Sequence, residues 1–480
     1  MPLDRPTAAV CAALLTCVGC DAQRDPPTPE PALEDPPSVE VHAAAATPQT
    51  APDIPPVTET AAPEAADRSR NDDVEPTLRQ AKRAMMLYDA PDFRAAFRGK
   101  IARGESFHSY EVVDGDPECR GDWARVGTTA YACLHRSLEV DTPGPRDLPV
   151  LGDNGLTPFY YVRRRNADTP APLWRSRAAL RRGADPIGEL DMDHDYAFVT
   201  RRRSRGGRVL SDATRRTVRE ADVRRLQPST FEGQDLTRAP LPEKGQLAWV
   251  VRWPTAPRFD TPDPTADAAG VLPFQTTVVV NDEPVLKRGV RMFPLADGTG
   301  WVEAKAVRRV VPTTLPVPDD VDEDTVWLDV ELGQQTLTIL RGSAPQFVTL
   351  VSSGSGQHPT PPGLYRIESK QAYGDMRSRP SDDDPYYVES VPWVMYFEGR
   401  FALHGAFWHN RFGNRVSHGC INLAPKDAAR VFGSLEPRLP AGWLTVYEHE
   451  DDLGTLVRIR KGDKPVPDRR RTSPRRRTAD

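Results

Sequence analysis

The feature that most constrains the fold is a succession of short runs with alternating residue character, separated by glycine, proline and aspartate. In 326–330 every second position is apolar, and in 334–340 Leu337 and Ile339 alternate with threonine. This period is typical of β-strands with one buried face. Only Pro425 to Phe432 predicts a helix, because it begins with proline and Gly433 follows it. The last third of the chain is therefore predicted to be mainly β.

Three upstream stretches show a similar, less regular strand pattern, and we refer to them as the first module (76–140), the second module (141–235) and the third module (236–320). The first and third resemble bacterial SH3-like domains, and this resemblance implies small β-barrels. The alternative is that all three are irregular β segments of one larger domain. If they are separate modules, we expect them to have a binding role.

The N-terminus predicts export. Ala8 to Val18 is an apolar run, too short for the roughly 20 residues that span a bilayer, and it follows Arg5. Residues 1–20 end in Val18-Gly19-Cys20, which resembles a lipoprotein signal and implies a lipid on Cys20. Export without lipid is the alternative, since Cys17 stands where that pattern has leucine. We expect the protein in the cell envelope, on the periplasmic side, anchored to a membrane through the lipid.

Two terminal segments are predicted to be disordered. The 49 prolines are about 10% of the 480 residues, double the roughly 5% of globular chains. Many of them lie in 21–75, which has no aromatic residue and cannot bury a core, so we expect a tether there. Residues 451–480 contain two arginine triplets and are predicted as a basic tail. The net charge of −5 does not favour a nucleic-acid partner.

The cysteine count points to one free thiol. Cys11 and Cys17 would be removed with the signal peptide, and Cys20 would carry the lipid. The remaining cysteines are Cys119, Cys133 and Cys420. In an oxidising compartment we expect Cys119 to pair with Cys133, which closes a loop of roughly 15 residues and stabilises the fold by about 3 kcal/mol. Cys420 is then free. A buried, unreactive thiol is the plainer interpretation of such a cysteine.

Three of the nine histidines lie within 403–423, together with Cys420. A thiol is a strong nucleophile, but only a few per cent is thiolate at neutral pH unless a base lies beside it. His418 would share a face with Cys420 on a strand, whereas His404 would reach it by loop closure; either is a possible base. Gly419 leaves room for substrate, and the amides around it are candidate donors to an oxyanion.

Metal binding is a weaker interpretation. Zinc sites are typically built from several thiolates or histidines at close spacing, and no Cys-x-x-Cys spacing accompanies Cys420. Asp191 to Asp195 is rich in acidic residues, but adjacent acids on a turn are usually solvated. We expect neither a metal nor a cofactor.

The order His404, then Ser417-His418-Gly419-Cys420-Ile421-Asn422, resembles the signature of the YkuD family of L,D-transpeptidases. Supporting pieces lie upstream, at Asp329 with Gln335-Thr336-Leu337, at 351–354 and at 360–363. The resemblance covers about 325–447 and implies a β-sandwich catalytic domain at 321–450.

The resemblance also implies residue roles. Cys420 would be the nucleophile, His404 the general base, and the Gly405 carbonyl would orient that imidazole. The amides of Gly419 and Cys420 would form the oxyanion hole. Residues implied to shape the site or bind substrate are Ser417, His418, Asn422, Trp408 and His409, with His409 a weaker candidate base. The segment Gln371 to Pro385 falls where relatives carry a lid, although a passive loop is equally consistent.

The implied reaction is transfer of a peptidoglycan stem peptide. Cys420 would attack the third residue of a tetrapeptide stem, release D-alanine and pass the acyl group to a second stem, which forms a 3-3 cross-link. With water as acceptor the same residues give an L,D-carboxypeptidase or endopeptidase, and with a protein amine they attach a protein to the wall. The non-enzymatic alternative is a wall-binding lipoprotein.

Overall fold

The computed structural model describes residues 75–378 and 385–470. The predicted signal (1–20) with Cys20, most of the tether (21–75) and the final arginine triplet lie outside the described residues. Strands dominate and two short α-helices accompany them, which confirms the mainly β fold class. In the described residues, no helix combines the length and apolar character needed to cross a membrane.

The first module consists of strands alone, apart from one 3₁₀ turn. They are β1 (Thr77–Ala81), β2 (Met85–Tyr88), β3 (Phe97–Ile101), β4 (Ser106–Ser109), β5 (Val112–Val113), β6 (Trp123–Gly127), β7 (Ala130–Cys133) and β8 (Ser137–Glu139). A disulfide joins Cys119 to Cys133, with their Cα atoms 5.8 Å apart. This is the pair expected from the sequence, and it fixes the loop before β6 to the end of β7.

The second and third modules are also built from short strands. The second contains β9 (Tyr160–Arg164), β10 (Pro172–Leu173), α1 (Arg177–Arg181), β11 (Gly188–Glu189), β12 (His194–Phe198), β13 (Thr200–Ser204), β14 (Gly207–Ser211), β15 (Thr217–Arg219), β16 (Val223–Arg225) and β17 (Gln234–Asp235). The third contains β18 (Gln246–Val250), β19 (Thr255–Arg258), β20 (Gly270–Pro273), β21 (Thr277–Val280), β22 (Val285–Lys287), β23 (Val290–Pro294), β24 (Trp301–Glu303) and β25 (Val307–Arg309).

The C-terminal part folds into two sheets that share one long strand. Its elements are β26 (Val326–Glu331), β27 (Thr336–Arg341), β28 (Ala344–Ser352), β29 (Gly363–Arg366), β30 (Ser369–Arg377), β31 (Tyr387–Glu398), β32 (Phe401–Gly405), β33 (Ile421–Leu423), α2 (Pro425–Ser434), β34 (Trp443–Tyr447) and β35 (Leu456–Arg460). One sheet has the order β29-β35-β26-β27-β28, and the other runs β28-β33-β32-β31-β30-β34. Their apolar faces enclose one core, in which Leu328, Met395, Leu403 and Ile459 are fully or almost fully buried.

The predicted tail at 451–480 is wrong for its first part, because β35 is a buried strand that pairs in parallel with β26. Arg458 and Arg460 suggested a solvated segment, but both guanidinium groups bind the carboxylate of buried Asp329, at 2.5 and 2.7 Å. The ion pairs compensate the charges, so the catalytic sheet extends past the predicted boundary at 450.

The predicted helix is present and two residues longer than expected. Pro425 occupies its first turn, and the helix continues through Gly433 to Ser434. The Lys370 ammonium, which is buried, donates to the carbonyls of Phe432 and Leu435 at 2.7 Å each. It thereby satisfies carbonyls at the helix end that would otherwise lack a partner.

Strands also connect the modules to the catalytic sheets. β3 of the first module pairs with β34, β12 of the second module pairs in parallel with β31, and β17 pairs with β28. The modules therefore extend the catalytic sheets at three edges.

Candidate active site

The site forms where β32 and β33 lie side by side in parallel. In this pairing His404 lies opposite Asn422, and Leu403 lies opposite Ile421. Because side chains alternate along a strand, Leu403 and Ile421 enter the core, whereas His404 and Asn422 project from the other face. Cys420 stands one position before β33. The parallel pairing therefore brings His404 and Cys420, which are sixteen residues apart in the sequence, to the same edge of the sheet.

The Cys420 thiol is half-buried and is the free cysteine of the described residues. Its Sγ lies 3.7 Å from the carbonyl oxygen of Arg400. Burial raises the pKa of the thiol above its ordinary value, while the Ala402 amide and the Arg400 charge oppose that rise. The thiol therefore stays protonated at neutral pH, and its activation requires a base.

His404 is buried, with 2% of its surface exposed. Its Nδ1 lies 3.3 Å from the Gly405 carbonyl, and since a carbonyl only accepts, we assign the proton to Nδ1. Burial lowers the pKa of His404 to about 4. At neutral pH the imidazole is thus uncharged, and its Nε2 lone pair is available to accept a proton.

His409 is fixed by contacts on both ring nitrogens. The Arg411 amide donates to Nδ1 at 3.1 Å, and the Asn422 side-chain amide lies 2.9 Å from Nε2. The Asn422 atom placed against Nε2 is its amide nitrogen; because Nδ1 accepts, the neutral ring carries its proton on Nε2, and we therefore assign the Asn422 amide the flipped orientation, in which its oxygen accepts from Nε2–H. Burial lowers the pKa of His409 to about 3. This pair braces the loop, and neither nitrogen of His409 is left for the thiol.

His418 does not share a face with Cys420, contrary to the local strand prediction. Gly419 between them has φ +116°, a left-handed conformation, and β33 begins only after Cys420. The exposed His418 ring instead lies between the rings of His358 and Tyr386, with centroids at 4.9 and 5.0 Å. Strand alternation cannot pass through such a turn.

Gly419 is held by a small hydrogen-bond network. The Ser417 hydroxyl donates to the Cys420 carbonyl and accepts from the Gly419 amide at 3.1 Å. Thr360 donates to the Gly419 carbonyl at 2.7 Å. A Cβ on Gly419 would approach the Phe401 ring to 2.6 Å. Of the two amides expected in the oxyanion hole, that of Gly419 is already occupied by Ser417, which leaves the Cys420 amide as the better candidate.

The early pieces of the sequence resemblance anchor this turn from behind. The Gln335 side-chain amide donates to Ser353 Oγ, and its oxygen accepts from the Ser353 amide, both at 2.7 Å. The Ser353 carbonyl in turn accepts from the amides of Val416 and Ser417. These residues position the turn rather than contact the thiol.

A groove of about 490 Å³ opens beside the thiol. Its lining is mostly polar and aromatic and comprises Ser369, Gln371, Asp375, Met376, Arg377, Ser378, Tyr386, Tyr396, Gly399, Arg400, Cys420 and Tyr447. Of the segment expected as a lid, Gln371 to Pro385, the residues up to Arg377 belong to strand β30, which pairs with β31, and 379–384 lie outside the described residues. Strand β30 forms one wall of the groove.

The sequence did not reveal that the upstream modules hold the loop between His404 and Cys420. Tyr161 of the second module stacks on Phe407, with ring centroids 3.4 Å apart and planes 8° apart. Arg308 of the third module donates to the Gly413 carbonyl at 2.8 Å, and Gln275 donates to Asn410 Oδ1 at 2.9 Å. A weak hint was the aromatic content of the modules, but no spacing assigns these partners.

The acidic run Asp191 to Asp195 lies where the second module meets β31. The Asp195 carboxylate accepts two hydrogen bonds from Arg163, at 2.6 and 2.8 Å, and His194 Nε2 lies 3.3 Å from a Glu389 carboxylate oxygen. In the described chain, one cluster has the spacing of metal ligands, Cys119, Cys133 and His135. Its two sulfurs are joined in the disulfide, so they are not thiolate ligands.

Comparison with known proteins shows what the part of the chain that carries this site is similar to. Residues 325–459 match the YkuD family model, described as the L,D-transpeptidase catalytic domain. L,D-transpeptidase 1 of Mycobacterium tuberculosis is 27% identical over 181 residues, which cover 33% of this chain and 72% of that protein. The putative L,D-transpeptidase YciB of Bacillus subtilis is 26% identical over 129 residues, covering 24% of this chain and 64% of that protein.

Solved structures give matches of lower identity. An Enterococcus faecium L,D-transpeptidase mutant is 20% identical, with a TM-score of 0.23, over 29% of this chain and 50% of that one. L,D-transpeptidase 3 from Mycobacterium tuberculosis is 20% identical, with a TM-score of 0.24, over 40% of this chain and 76% of that one. This chain spans half the length of the Enterococcus faecium protein.

Proposed function

We propose that the YkuD-type L,D-transpeptidase catalytic domain at residues 325–459 forms 3-3 cross-links between peptidoglycan stem peptides through a thioester on Cys420. The observation that carries the proposal is a buried, neutral imidazole, His404, on the strand next to the nucleophile. The protonated thiol becomes a thiolate nucleophile only when its proton passes to the neutral imidazole. The thiolate and imidazolium charges are therefore created as the reaction begins.

In the first step, His404 Nε2 accepts the Cys420 proton and Sγ attacks the carbonyl carbon of the third stem residue. The oxyanion receives hydrogen bonds from the Cys420 amide and, if Ser417 releases it, the Gly419 amide. The C–N bond to the terminal D-alanine breaks, and the His404 proton leaves with its amine. The thioester remains.

In the second step, the side-chain amine of another stem attacks the thioester carbonyl. His404 takes a proton from that amine and returns it to the departing sulfur, which restores the starting thiol. With water as the acceptor the same steps give an L,D-carboxypeptidase, and with a protein amine they attach that protein to the wall. Product masses distinguish these acceptors, because transfer yields a dimer of the stems and hydrolysis only a trimmed monomer.

The nucleophile assignment predicts a covalent adduct with a carbapenem. A strained β-lactam acylates a reactive thiol without a leaving group, so the protein should gain the full mass of the inhibitor. We expect the adduct by intact-mass spectrometry on the unsubstituted protein and its absence on Cys420→Ala. An unmodified protein after incubation with excess carbapenem would contradict the assignment of Cys420.

We also propose that the protein is exported and anchored by a lipid on Cys20, and that the first module helps to dock it on the wall. A basic cavity of about 650 Å³ in that module supports the docking role, with Lys82, Arg83, Arg120 and Arg136 in its lining against one acid, Glu118. Stem peptides carry carboxylates, which such a cavity would attract. The docking is tested by co-sedimentation of a Lys82→Gln/Arg83→Gln variant with sacculi. The anchor is tested by whether Cys20→Ala is released from the membrane fraction.

A further inference from the structure

The groove beside Cys420 has a specific distribution of charge. Among the described residues, two arginines, Arg377 and Arg400, line it together with one carboxylate, Asp375. That carboxylate accepts from the Tyr387 hydroxyl at 2.6 Å and from the Ser390 amide at 2.9 Å, and is thereby held in the β30–β31 hairpin. The positive charges face the groove without an equal number of negative ones.

Arg400 is a charged residue that acts on the Cys420 thiol. It lies in the turn between β31 and β32, and its own carbonyl oxygen is 3.7 Å from the Cys420 Sγ. Its exposed guanidinium reaches across to β30 and donates Nη2 to the Arg377 carbonyl at 3.2 Å. That bond occupies one donor of the five. In residues 75–378 and 385–470, neither Arg377 nor Arg400 forms an ion pair with a carboxylate.

We infer that Arg400, supported by Arg377, binds the free terminal carboxylate of the residue that leaves the donor peptide. The inference rests on the proposed function and names the form of donor that the groove accepts. In such a donor the terminal carboxylate lies one residue, about 3.8 Å, beyond the scissile bond. Arg400 and Cys420 line the same groove, so the guanidinium is available to a carboxylate bound there.

The chemistry of the two arginines favours a donor peptide with a free terminal carboxylate over one with an uncharged C-terminus. Guanidinium presents a planar fork that matches two carboxylate oxygens, and charge-assisted hydrogen bonds are about twice as strong as neutral ones. A C-terminal amide offers one acceptor and no charge. A donor extended by a further residue has a peptide bond where the carboxylate should be. The groove therefore selects donors that end one residue after the scissile bond.

The test compares three synthetic tetrapeptide-type donors: the free acid, its C-terminal amide and a version extended by one residue. For the unsubstituted protein we expect kcat/KM for D-alanine release from the acid to exceed alaninamide release from the amide by on the order of 10- to 100-fold. Arg400→Gln should abolish the difference between the acid and the amide. Arg400→Lys should restore part of the difference. Arg341→Gln, an exposed arginine at the end of β27, is the matched control.

Two further measurements separate this role from others. Because the Arg400 charge also lowers the pKa of Cys420, the rates for the acid and the amide in Arg400→Gln are each divided by the rate at which neutral iodoacetamide, which has no carboxylate, alkylates Cys420. After this correction the acid should still lose its advantage over the amide; an equal loss of acid, amide and alkylation rates would overturn the inference in favour of a role in thiol activation or folding. Binding of the acid and amide to Cys420→Ala is compared in parallel. Equal affinities there would overturn the carboxylate site whether or not transfer is observed, whereas failure of transfer alone would overturn only the proposed function.

Discussion

At the scale of single residues, the site depends on His404 being kept uncharged. Its buried position lowers the pKa to about 4, so the folded state binds its proton only at acid pH. An unfolded chain, with an ordinary histidine pKa near 6.5, takes up that proton first. This group therefore makes the fold less stable as pH falls from about 6.5 to 4, and has no effect above that window.

The same pKa predicts the acid limb of the pH profile. Acylation of the unsubstituted protein should decline below about pH 5 as His404 becomes protonated and can no longer accept the Cys420 proton. His404→Ala should slow acylation by roughly 100-fold or more at pH 7, and His108→Ala in the first module serves as the control. A rate for His404→Ala equal to that of the control would eliminate His404 as the base.

Gly419 gives a second prediction at this scale. Its φ of +116° is a conformation that L-residues rarely adopt, and a methyl group there would lie 2.6 Å from the Phe401 ring. Gly419→Ala should displace the Cys420 amide and abolish carbapenem acylation, while costing about 1–3 kcal/mol of stability. Acylation at the normal rate would show that the turn tolerates a side chain and that its geometry is not required.

At the scale of elements, the site depends on the loop between β32 and β33, which the third module holds in place through Arg308 and Gln275. Arg308→Ala removes the hydrogen bond to the Gly413 carbonyl, and one such bond contributes roughly 1 kcal/mol. We expect acylation to slow by about fivefold, with Arg308→Lys partly restoring it. Arg288→Ala, an exposed arginine of the same module, should leave acylation unchanged, and equal rates for Arg308→Ala and Arg288→Ala would contradict this role of Arg308.

At the scale of the whole molecule, the catalytic sheets continue into segments that the sequence placed outside them. Truncation after residue 450 removes β35, and with it both partners of Asp329, so we expect a buried unpaired carboxylate and loss of cooperative unfolding. Truncation after residue 470 keeps β35 and should unfold like the full chain. Thermal denaturation of the two truncations measures the difference, and similar midpoints would contradict the role of β35.

The upstream modules are also joined to the catalytic sheets more closely than the sequence indicated. Their strands pair with β28, β31 and β34, and Tyr161 stacks on the loop beside His404. Removal of the modules should therefore impair thioester formation as well as wall binding. This coupling has no signature in the sequence, because strand pairing between segments hundreds of residues apart leaves no local period.

The sequence by itself determined the mainly β class, the helix at Pro425 and the motif Ser417-His418-Gly419-Cys420, from which a Cys420 nucleophile is predicted, because alternation and short motifs record local geometry and chemistry. Only the tertiary structure decided that His418 turns away at Gly419, that β35 is a core strand, and that the modules hold the catalytic loop. Burial and long-range pairing set those outcomes: Arg458 appears solvated until Asp329 is placed beside it, and His404 is neutral only because the folded chain excludes water from it.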